Sequence, residues 1–385
     1  MGLFIDAIKE LASIDFLYYV PPDFDISPGT TSKLEQEFAE YWQADITLSL
    51  CNRSTHQHKI LRRPNYLPGA LNFFDQKSYI GVSGQNQVKA LEVCLARKPD
   101  AILAHRLQAM CPLMLTKAKL PPIFFDLDDI EHISLARQIK QPGPYRKKDL
   151  GNYLYLPSLK RAELKAIRKA HKTFICSERD YSYLAKGLNL PGIVTIPNAI
   201  KLPSPQSLVS EPTLLFIGSY TYQPNITAAE FLIEQVWPHI HKSVTKAKLI
   251  IAGSCPERIR SYLVPASGVE FTGFVENLDE LYQRSRVVCC PILSGSGTRV
   301  KLIEAAAYQK PIVSTSVGAE GLELPNEEAI LLRDNPEHFA KACIELLRND
   351  ELCVRLGTAA YNIATKRYDR VQILRQIQYC LQKPQ

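Results

Sequence analysis

Pro-Ile-Leu-Ser-Gly-Ser-Gly-Thr-Arg-Val-Lys-Leu-Ile-Glu-Ala-Ala-Ala-Tyr-Gln-Lys-Pro-Ile-Val-Ser-Thr-Ser-Val-Gly-Ala-Glu-Gly-Leu, residues 291–322, is the stretch whose reading decides the fold. The short apolar run ahead of it, 286–290, reads as a buried parallel strand. Ser294-Gly295-Ser296-Gly297 then forms a loop that lets backbone approach a ligand closely. Thr298 is expected to cap a helix running to about Tyr308. Residues 311–314 read as the next strand, and Gly318-Ala319-Glu320-Gly321 as another turn. A Gly-rich loop opening a helix offers free N–H groups and the positive end of a helix dipole to an anion. Arg299 and Lys301 add two cations there, and Glu304 lies one turn further in. An anion cradle beside a carboxylate that accepts from sugar hydroxyls is the chemistry a nucleotide sugar requires.

Bulk properties are consistent with that reading. A chain of 385 residues is long enough for two domains, each with its own core. With 46% hydrophobic and 22% charged residues it has an ordinary globular composition. No apolar run reaches the length of a membrane span. Asp6, Lys9 and Glu10 interrupt any signal-peptide-like region at the start, and the opening lacks the Ser or Thr of a myristoylation site. The ten cysteines are scattered, with Cys289 and Cys290 adjacent and no Cys-x-x-Cys pair. This points to reduced thiols in the cytoplasm and away from a zinc site or a disulfide framework; no metal is expected. A net charge of +7 favours anionic ligands or an acidic membrane surface over duplex nucleic acid.

Outward from the opening stretch, β-then-α alternation fills the chain. In the first half, strands are expected at 15–20, 46–51, 101–104, 122–125, 173–176 and 193–196. Helices are expected at 2–11, 33–42, 85–96, 107–117, 157–171 and 180–188, with a surface loop over 52–66. The helical spacing of Leu3, Ile5, Ala7, Ile8 and Leu11 comes where an α/β domain normally places a strand, so the first strand is expected to be missing. Residues 202–212, rich in Pro and Ser, read as a linker. Alternation restarts with strands at 213–217, 248–252 and 269–271 and helices at 225–236 and 278–284. Helices at 337–347, 350–366 and 369–381 close the chain.

Four ordered segments then resemble a known family. They are Leu-Leu-Phe-Ile-Gly-Ser-Tyr-Thr-Tyr-Gln-Pro-Asn (214–225), Leu-Ile-Ile-Ala-Gly (249–253), Val-Glu-Phe-Thr-Gly-Phe-Val (269–275) and the opening stretch. Together they resemble the donor half of the group 1, family-4 glycosyltransferases, which are retaining enzymes of the GT-B fold. Residues 98–106, 176–180 and 196–200 (Ile-Pro-Asn-Ala-Ile) match less specifically. The resemblance implies an α/β chain of two Rossmann-like domains with parallel sheets facing a central cleft. It divides into an acceptor domain over 1–201, a linker over 202–212, a nucleotide-sugar donor domain over 213–366, and a helix over 367–385 that crosses back to the first domain. It implies transfer of a sugar from a nucleotide-diphosphate donor to a glycan or lipid-linked acceptor with retention, in surface polysaccharide or glycolipid assembly. No cofactor beyond the donor substrate is implied, and no metal ion is required.

Residue by residue, the resemblance gives Glu304 the ribose hydroxyls. The family's other glutamate, eight positions earlier, is Ser296 here. Where many members carry an Arg after the first strand's Gly and a Lys further on, this chain has Ser219 after Gly218 and then Asn225. Arg299 and Lys301 are therefore expected to hold the diphosphate, with Gly218, Ser219, Gly295, Ser296, Gly297 and Thr298 lining the donor pocket. In the first half, Asp126, Asp129 and His132, together with His105, are the candidates for catalysis, being strand-end carboxylates and imidazoles. Asp128 and Glu131 belong to the same cluster.

Blander readings stand beside these. The Asp126 to His132 run also suits the acidic first turn of a helix. Lys160, Arg161, Lys165, Arg168, Lys169 and Lys172, with Arg146-Lys147-Lys148 before them, form a basic face. That face is either simply solvated or a peripheral contact with anionic lipid on the inner side of the membrane. Nucleic-acid binding is disfavoured, because no aromatics interleave the basic residues. A rival function is a non-catalytic nucleotide-sugar-binding or scaffold protein on the same fold. A Rossmann oxidoreductase is disfavoured by the lack of a Gly-x-Gly-x-x-Gly after a strand.

Overall fold

The computed structural model describes residues 1–53, 85–140, 146–204, 209–295 and 297–382. From residue 54 on, the expected surface loop lies outside the described residues, as does 205–208 of the expected linker. Two compact units are present: Met1–Ile196 with Leu374–Gln385, and Pro197–Ile373.

In the first unit the chain opens with a helix, Gly2–Ile8, and the strand-first order of an ordinary α/β domain is not seen among the described residues. Strands β1 (Ile14–Val20) and β2 (Ile46–Asn52) pair in parallel as a two-stranded sheet. A separate four-stranded parallel sheet holds β3 (Ile102–His105), β4 (Ile123–Asp128), β5 (Lys172–Ile175) and β6 (Ile193–Thr195) in that order. Phe125, Leu127, Met110, Ile130 and Ile167 fill its core, each less than 2% exposed or close to it. Burial of each such side chain contributes about 1.5–3 kcal/mol.

The basic helix differs from expectation. It spans Arg146–Lys169, starting well before residue 157 and carrying Pro157 inside it. Proline lacks the N–H that continues a helix and reads as a boundary. Here Pro157 sits on the exposed side, while Leu159, Ala162, Ala166 and Ile167 recur on the buried side and hold the helix to the sheet. Among the described residues no helix is long and apolar enough to cross a membrane.

The second unit is built on one six-stranded parallel sheet. Its strands are β7 (Thr213–Ile217), β8 (Lys248–Ala252), β9 (Val269–Gly273), β10 (Val287–Cys290), β11 (Ile312–Ser314) and β12 (Leu331–Leu332). The spatial order is β12-β11-β10-β7-β8-β9. The chain lays β7, β8 and β9 to one side, then returns to start β10 on the other side of β7. That reversal between β7 and β10 is a topological switch point, and open α/β sheets bind ligands outside the carboxyl ends of the strands there. Leu214, Leu215, Phe216 and all of Val287–Cys290 are buried, as expected for strands covered on both faces. Helices Gln223–Phe231 and Val300–Ala307 follow β7 and β10, so the sequence loops before them converge on the switch point. Asn277, Asn335 and Asn349 cap later helices through their side chains.

Candidate functional site

Gly295 and Gly297 take φ values of 108° and 77°, which β-carbon-bearing residues rarely adopt, so the loop after β10 turns sharply back on itself. Ser296 lies outside the described residues. A Cβ on Gly295 would sit 3.0 Å from the Tyr222 hydroxyl and 3.2 Å from Arg299 Nη2. Tyr222, from the loop after β7, thus rests on the loop after β10. Arg299 Nη1 donates to Gly297 O at 2.6 Å, which fastens the guanidinium to its own loop.

Thr298 is not the helix cap. Helix Val300–Ala307 is capped at Arg299 without a side-chain hydrogen bond. The helix begins one residue too late for the Thr298 hydroxyl to serve it, and that hydroxyl accepts from Asn198 Nδ2 instead. Asn198, of the Ile-Pro-Asn-Ala-Ile segment, is thereby tied to the loop after β10. Asn198 had no assigned role in the sequence reading, although its segment stood out.

Lys301 lies at the centre. Its ammonium donates to Asn225 Oδ1 at 3.0 Å and stands 4.7 Å from the centroid of the Phe216 ring. Asn225 Nδ2 in turn donates to Ser219 O at 2.9 Å, joining the two loops. The side chain is partly buried and, among the described residues, forms no ion pair. A lysine has three donors. One neutral acceptor and one aromatic face leave the charge poorly compensated for its surroundings. Burial accordingly pushes its pKa below the ordinary lysine value, and Arg299 pushes the same way. Position 225, where the sequence offered no cation, is therefore the place to which Lys301 delivers one.

Glu304 comes one turn further along the same helix. Burial raises its carboxyl above the ordinary value, while Lys301 and the Tyr282 hydroxyl draw it down. Tyr282 is 0% exposed and stacks on Tyr308 with centroids 4.1 Å apart and planes 13° apart. The Tyr308 hydroxyl is bonded to Asp279. At the other side of the switch point, Ser219 Oγ meets Thr221 Oγ1 at 2.8 Å and Ser254 Oγ at 2.9 Å. Gly218 and Gly253 make that floor: a Cβ on Gly253, whose φ is 136°, would fall 1.8 Å from Gly218 O.

Cys289 and Cys290 are both fully buried beneath the loop. Cys289 Sγ lies 3.8 Å from Cys343 Sγ, and that contact together with burial pushes its thiol well up.

The first unit gathers a second group at the ends of β3 and β4. His105 and Asp126 are register partners, and His105 Nδ1 lies 2.7 Å from Asp126 Oδ2. Arg106 and Asp128 follow them, both at φ 63°, and Arg106 Nη2 reaches Asp128 Oδ2 at 2.6 Å. Two β-carbon-bearing residues in the left-handed region at adjacent strand ends are an energetically unfavourable arrangement of the kind that clusters at functional sites. Asp129 follows directly on β4, with its N–H on Leu127 O at 2.7 Å. His132 turns inward: it is 4% exposed, its Nδ1 bonds Glu163, and its Nε2 lies 2.8 Å from the Tyr183 hydroxyl. Glu163, 0% exposed, also accepts from the N–H of Glu131 at 2.8 Å. Burial and the Glu163 charge raise the Glu131 carboxyl to about 7. The candidates of the first half thus separate into the pair His105–Asp126 and an interior His132 held by Glu163 and Tyr183. Among the described residues no group of three or more His, Cys, Asp or Glu is arranged to hold a metal ion.

Comparison with known proteins bears on both units. Residues 211–349 match the family model described as glycosyl transferases group 1. A Klebsiella pneumoniae protein described as an uncharacterized 44.6 kDa protein in the cps region is 22% identical over 214 residues, 54% of this chain and 55% of that protein. A Campylobacter jejuni α-1,4-N-acetyl-D-galactosaminyltransferase, named for an undecaprenol-diphosphate-linked substrate, is 30% identical over 152 residues, 38% of this chain and 41% of that protein. The chain thus matches about half the length, or less, of these curated relatives. Among solved structures, sucrose-phosphate synthase from Thermosynechococcus elongatus aligns with a TM-score of 0.63 at 16% identity, covering 96% of this chain and 98% of that one. Anabaena HepE, solved with UDP and glucose, aligns at 0.61 and 15% identity over 99% and 95%. Staphylococcus aureus TarM, solved with UDP among its ligands, aligns at 0.59 and 15% identity over 77% and 59%. The fold is the α/β, GT-B fold of these glycosyltransferases, with parallel sheets in both units.

Proposed function

With residues 211–349 matching the family model described as glycosyl transferases group 1, we propose that this chain transfers a sugar from a nucleotide-diphosphate donor to a glycan or lipid-linked acceptor, with retention of anomeric configuration. The observation that carries the reading is Lys301. A cation sits at the switch point of the donor sheet with one neutral acceptor, at 3.0 Å, and no ion pair among the described residues. A diphosphate supplies the missing negative charge.

In this reading Lys301 and Arg299 hold the diphosphate, the Gly295–Gly297 backbone and Thr298 line it, and Glu304 accepts from the ribose hydroxyls. Gly218 and Ser219 bound the pocket on the β7 side. Transfer breaks the bond between the anomeric carbon and the phosphate oxygen. The departing nucleoside diphosphate carries the electron pair, and the cations stabilise its developing charge. The acceptor hydroxyl forms the new bond and loses its proton. His105, oriented by Asp126 at 2.7 Å, is assigned to substrate contact in the first unit, with Asp129 beside it. His132 is assigned to holding the start of the helix Glu131–Lys140 in place.

Uridine diphosphate is the first donor nucleotide to test, because HepE and TarM were solved with it. A lipid-diphosphate-linked glycan is the first acceptor class, from the name of the Campylobacter relative. The pathway proposed is surface polysaccharide or glycolipid assembly. The place of action proposed is the cytoplasm, with Lys160, Arg161, Lys165, Arg168 and Lys169 meeting the anionic inner face of the membrane.

The test is calorimetry of the full chain with uridine, guanosine and adenosine diphosphates, followed by product analysis with the matching nucleotide sugars. Binding by one nucleotide, lost in Lys301→Ala, together with sugar transfer or release, is the expected result. Failure of all three to bind would sink the reading. Binding without any release or transfer across the donor panel would favour the non-catalytic, nucleotide-sugar-binding alternative.

A further inference from the structure

Strand β9 ends the six-stranded sheet, and among the described residues no strand pairs with its outer edge. The opposite edge, at β12, is closed from within. Asn326 Oδ1 accepts from the N–H of Leu332 at 2.8 Å, and the N–H of Glu327 donates to Ile330 O at 2.8 Å. An open strand edge invites pairing, and natural edges are blunted by Lys, Pro or a covering segment. Residues 266–275, Ala-Ser-Gly-Val-Glu-Phe-Thr-Gly-Phe-Val, hold neither Lys nor Pro. The one charge on β9, Glu270, is met by Arg284 of its own chain at 3.2 Å. Apolar side chains flank the edge instead. Tyr262 packs edge-on to Phe271 with centroids 5.2 Å apart, so the Leu263-Val264 segment starts beside that residue. Leu263 is 87% exposed, Val264 83%, and Phe274, just past the end of β9, 73%. Large apolar side chains grouped in water mark an interaction surface.

The backbone pattern selects the partner. In the parallel ladder with β8, the N–H of Leu249 donates to Gly268 O at 2.8 Å, so Gly268, Glu270 and Thr272 turn their backbone groups to β8. Val269 and Phe271 turn theirs outward, and the N–H of Val269 is already taken by Ala266 O at 3.0 Å. Phe271 thus presents one N–H and one C=O together on the open edge. A second β9, laid antiparallel about a two-fold axis through Phe271, exchanges both bonds between the two Phe271 residues. The next pair on either side sets the N–H of Val269 against the partner's Gly273 O. Each of those groups has its bond inside its own chain, Gly273 O accepting from the N–H of Gly253 at 2.8 Å, so neither is stranded. What one strand lacks its symmetry mate lacks too, which is the self-complementarity of an isologous contact. The same axis sets each Glu270 across from the partner's Thr272 and not from a like charge.

We propose that β9 is a dimerisation edge: a second copy of this chain pairs with it, antiparallel and centred on Phe271, and covers Leu263, Val264 and Phe274. The six-stranded sheet then continues across the axis, and the loops after β7 and β10 face opposite ways in the two copies. The inference is independent of the donor-site reading.

Sedimentation velocity of the full chain over a micromolar concentration series is the first measurement. Wild type is expected to sediment as a dimer at the upper end of the series and to dissociate on dilution. Leu263→Lys combined with Val264→Lys is expected to leave the melting temperature unchanged, since both side chains are exposed, and to abolish the dimer by placing like charges at the contact. A wild type that is monomeric at every concentration would overturn the inference and leave the edge to a different partner. A dimer that survives the double substitution would overturn it too, by placing the contact elsewhere. Cross-linking tests the register without the lysine variants. An equimolar mixture of Glu270→Cys and Thr272→Cys chains is expected to give a covalent dimer on mild oxidation, because position 270 of one copy faces position 272 of the other. Neither variant alone, nor the wild type with its ten native cysteines, is expected to do so. Equal cross-linking in all of these, or in none, counts against pairing about Phe271. Neither measurement involves a nucleotide, so failure here leaves the donor-site reading intact, and failure of that reading leaves this inference standing.

Discussion

Replacing Lys301 by methionine tests the centre of the donor site most directly. Methionine keeps the length of the stem and its contact with the Phe216 ring, while the ammonium and its bond to Asn225 Oδ1 are lost. On the folding side, one charged hydrogen bond is lost, about 1.5–3 kcal/mol. A cation–π contact of roughly 0.5–2 kcal/mol goes with it. Against these stands relief from desolvating an unpaired charge, which is of several kcal/mol. The terms nearly cancel, so stability is expected to change by about 1 kcal/mol or less. On the binding side there is no cancellation. Two donors of the ammonium are uncommitted, and two charge-assisted bonds at about 1.5 kcal/mol each give roughly 3 kcal/mol. That corresponds to roughly a hundredfold in Kd. Calorimetry with the nucleotide identified for the wild type, beside thermal melting of both proteins, measures the two sides separately. Binding within threefold of wild type, with the melting temperature unchanged, would refute the reasoning.

The remaining predictions are more limited in scope. Burial holds the Lys301 pKa below its ordinary value in the free chain, and a bound anion raises it again. Above the lowered value binding must take up a proton, so affinity is expected to fall as pH rises there; Lys301→Arg, always protonated, is expected to lose that slope in a calorimetric pH series. Glu131 has a folded pKa of about 7 against an unfolded 4.5, so the folded chain holds the extra proton in that window. Stability is therefore expected to fall as pH rises from 4.5 toward 7, and Glu131→Gln is expected to flatten the fall and to melt higher than wild type at pH 8, by calorimetric melts. Gly253→Ala would drive a β-carbon to within 1.8 Å of Gly218 O, and denaturant titration is expected to show a loss of about 3 kcal/mol or more.

The six-stranded sheet was highly legible in the sequence. The expected strands at 213–217 and 248–252 and the helix at 278–284 have the bounds found in the structure. Each is a strongly apolar or periodic run between Gly, Pro or Asn signals, where local pattern and tertiary burial agree. The first half was harder. The helix Arg146–Lys169 was read only from 157 onward, because Pro157 carries a strong local stop signal that packing against the sheet overrides. Strand β12, two residues long, is defined by its pairing with β11 and not by its own composition. The cluster Asp126 to His132 was visible as a cluster, but its division was not. His132 pairs with Glu163, thirty-one positions away, and no spacing rule announces such a partner. The same holds for Lys301 and Asn225, seventy-six positions apart: each residue was noted, but their meeting depends on strand order.

The contact between Gly218 and Gly253 also bears on how such a pocket evolves. At Gly253 a Cβ would meet the Gly218 backbone, which cannot shrink to admit it, whereas at Gly218 a Cβ would meet the Asn225 side chain at 2.9 Å, the group that accepts from Lys301. Drift at this floor is closed off at Gly253 by backbone and at Gly218 by a side chain that is itself engaged with Ser219 O and Lys301. The exposed Ser219 and Thr221 and the half-buried Ser254 lie beside it, with Ser219 Oγ meeting each of the other two hydroxyls. On the proposed nucleotide-sugar reading, a library for altered donor preference therefore belongs at these three hydroxyl side chains, set beside a floor that resists change.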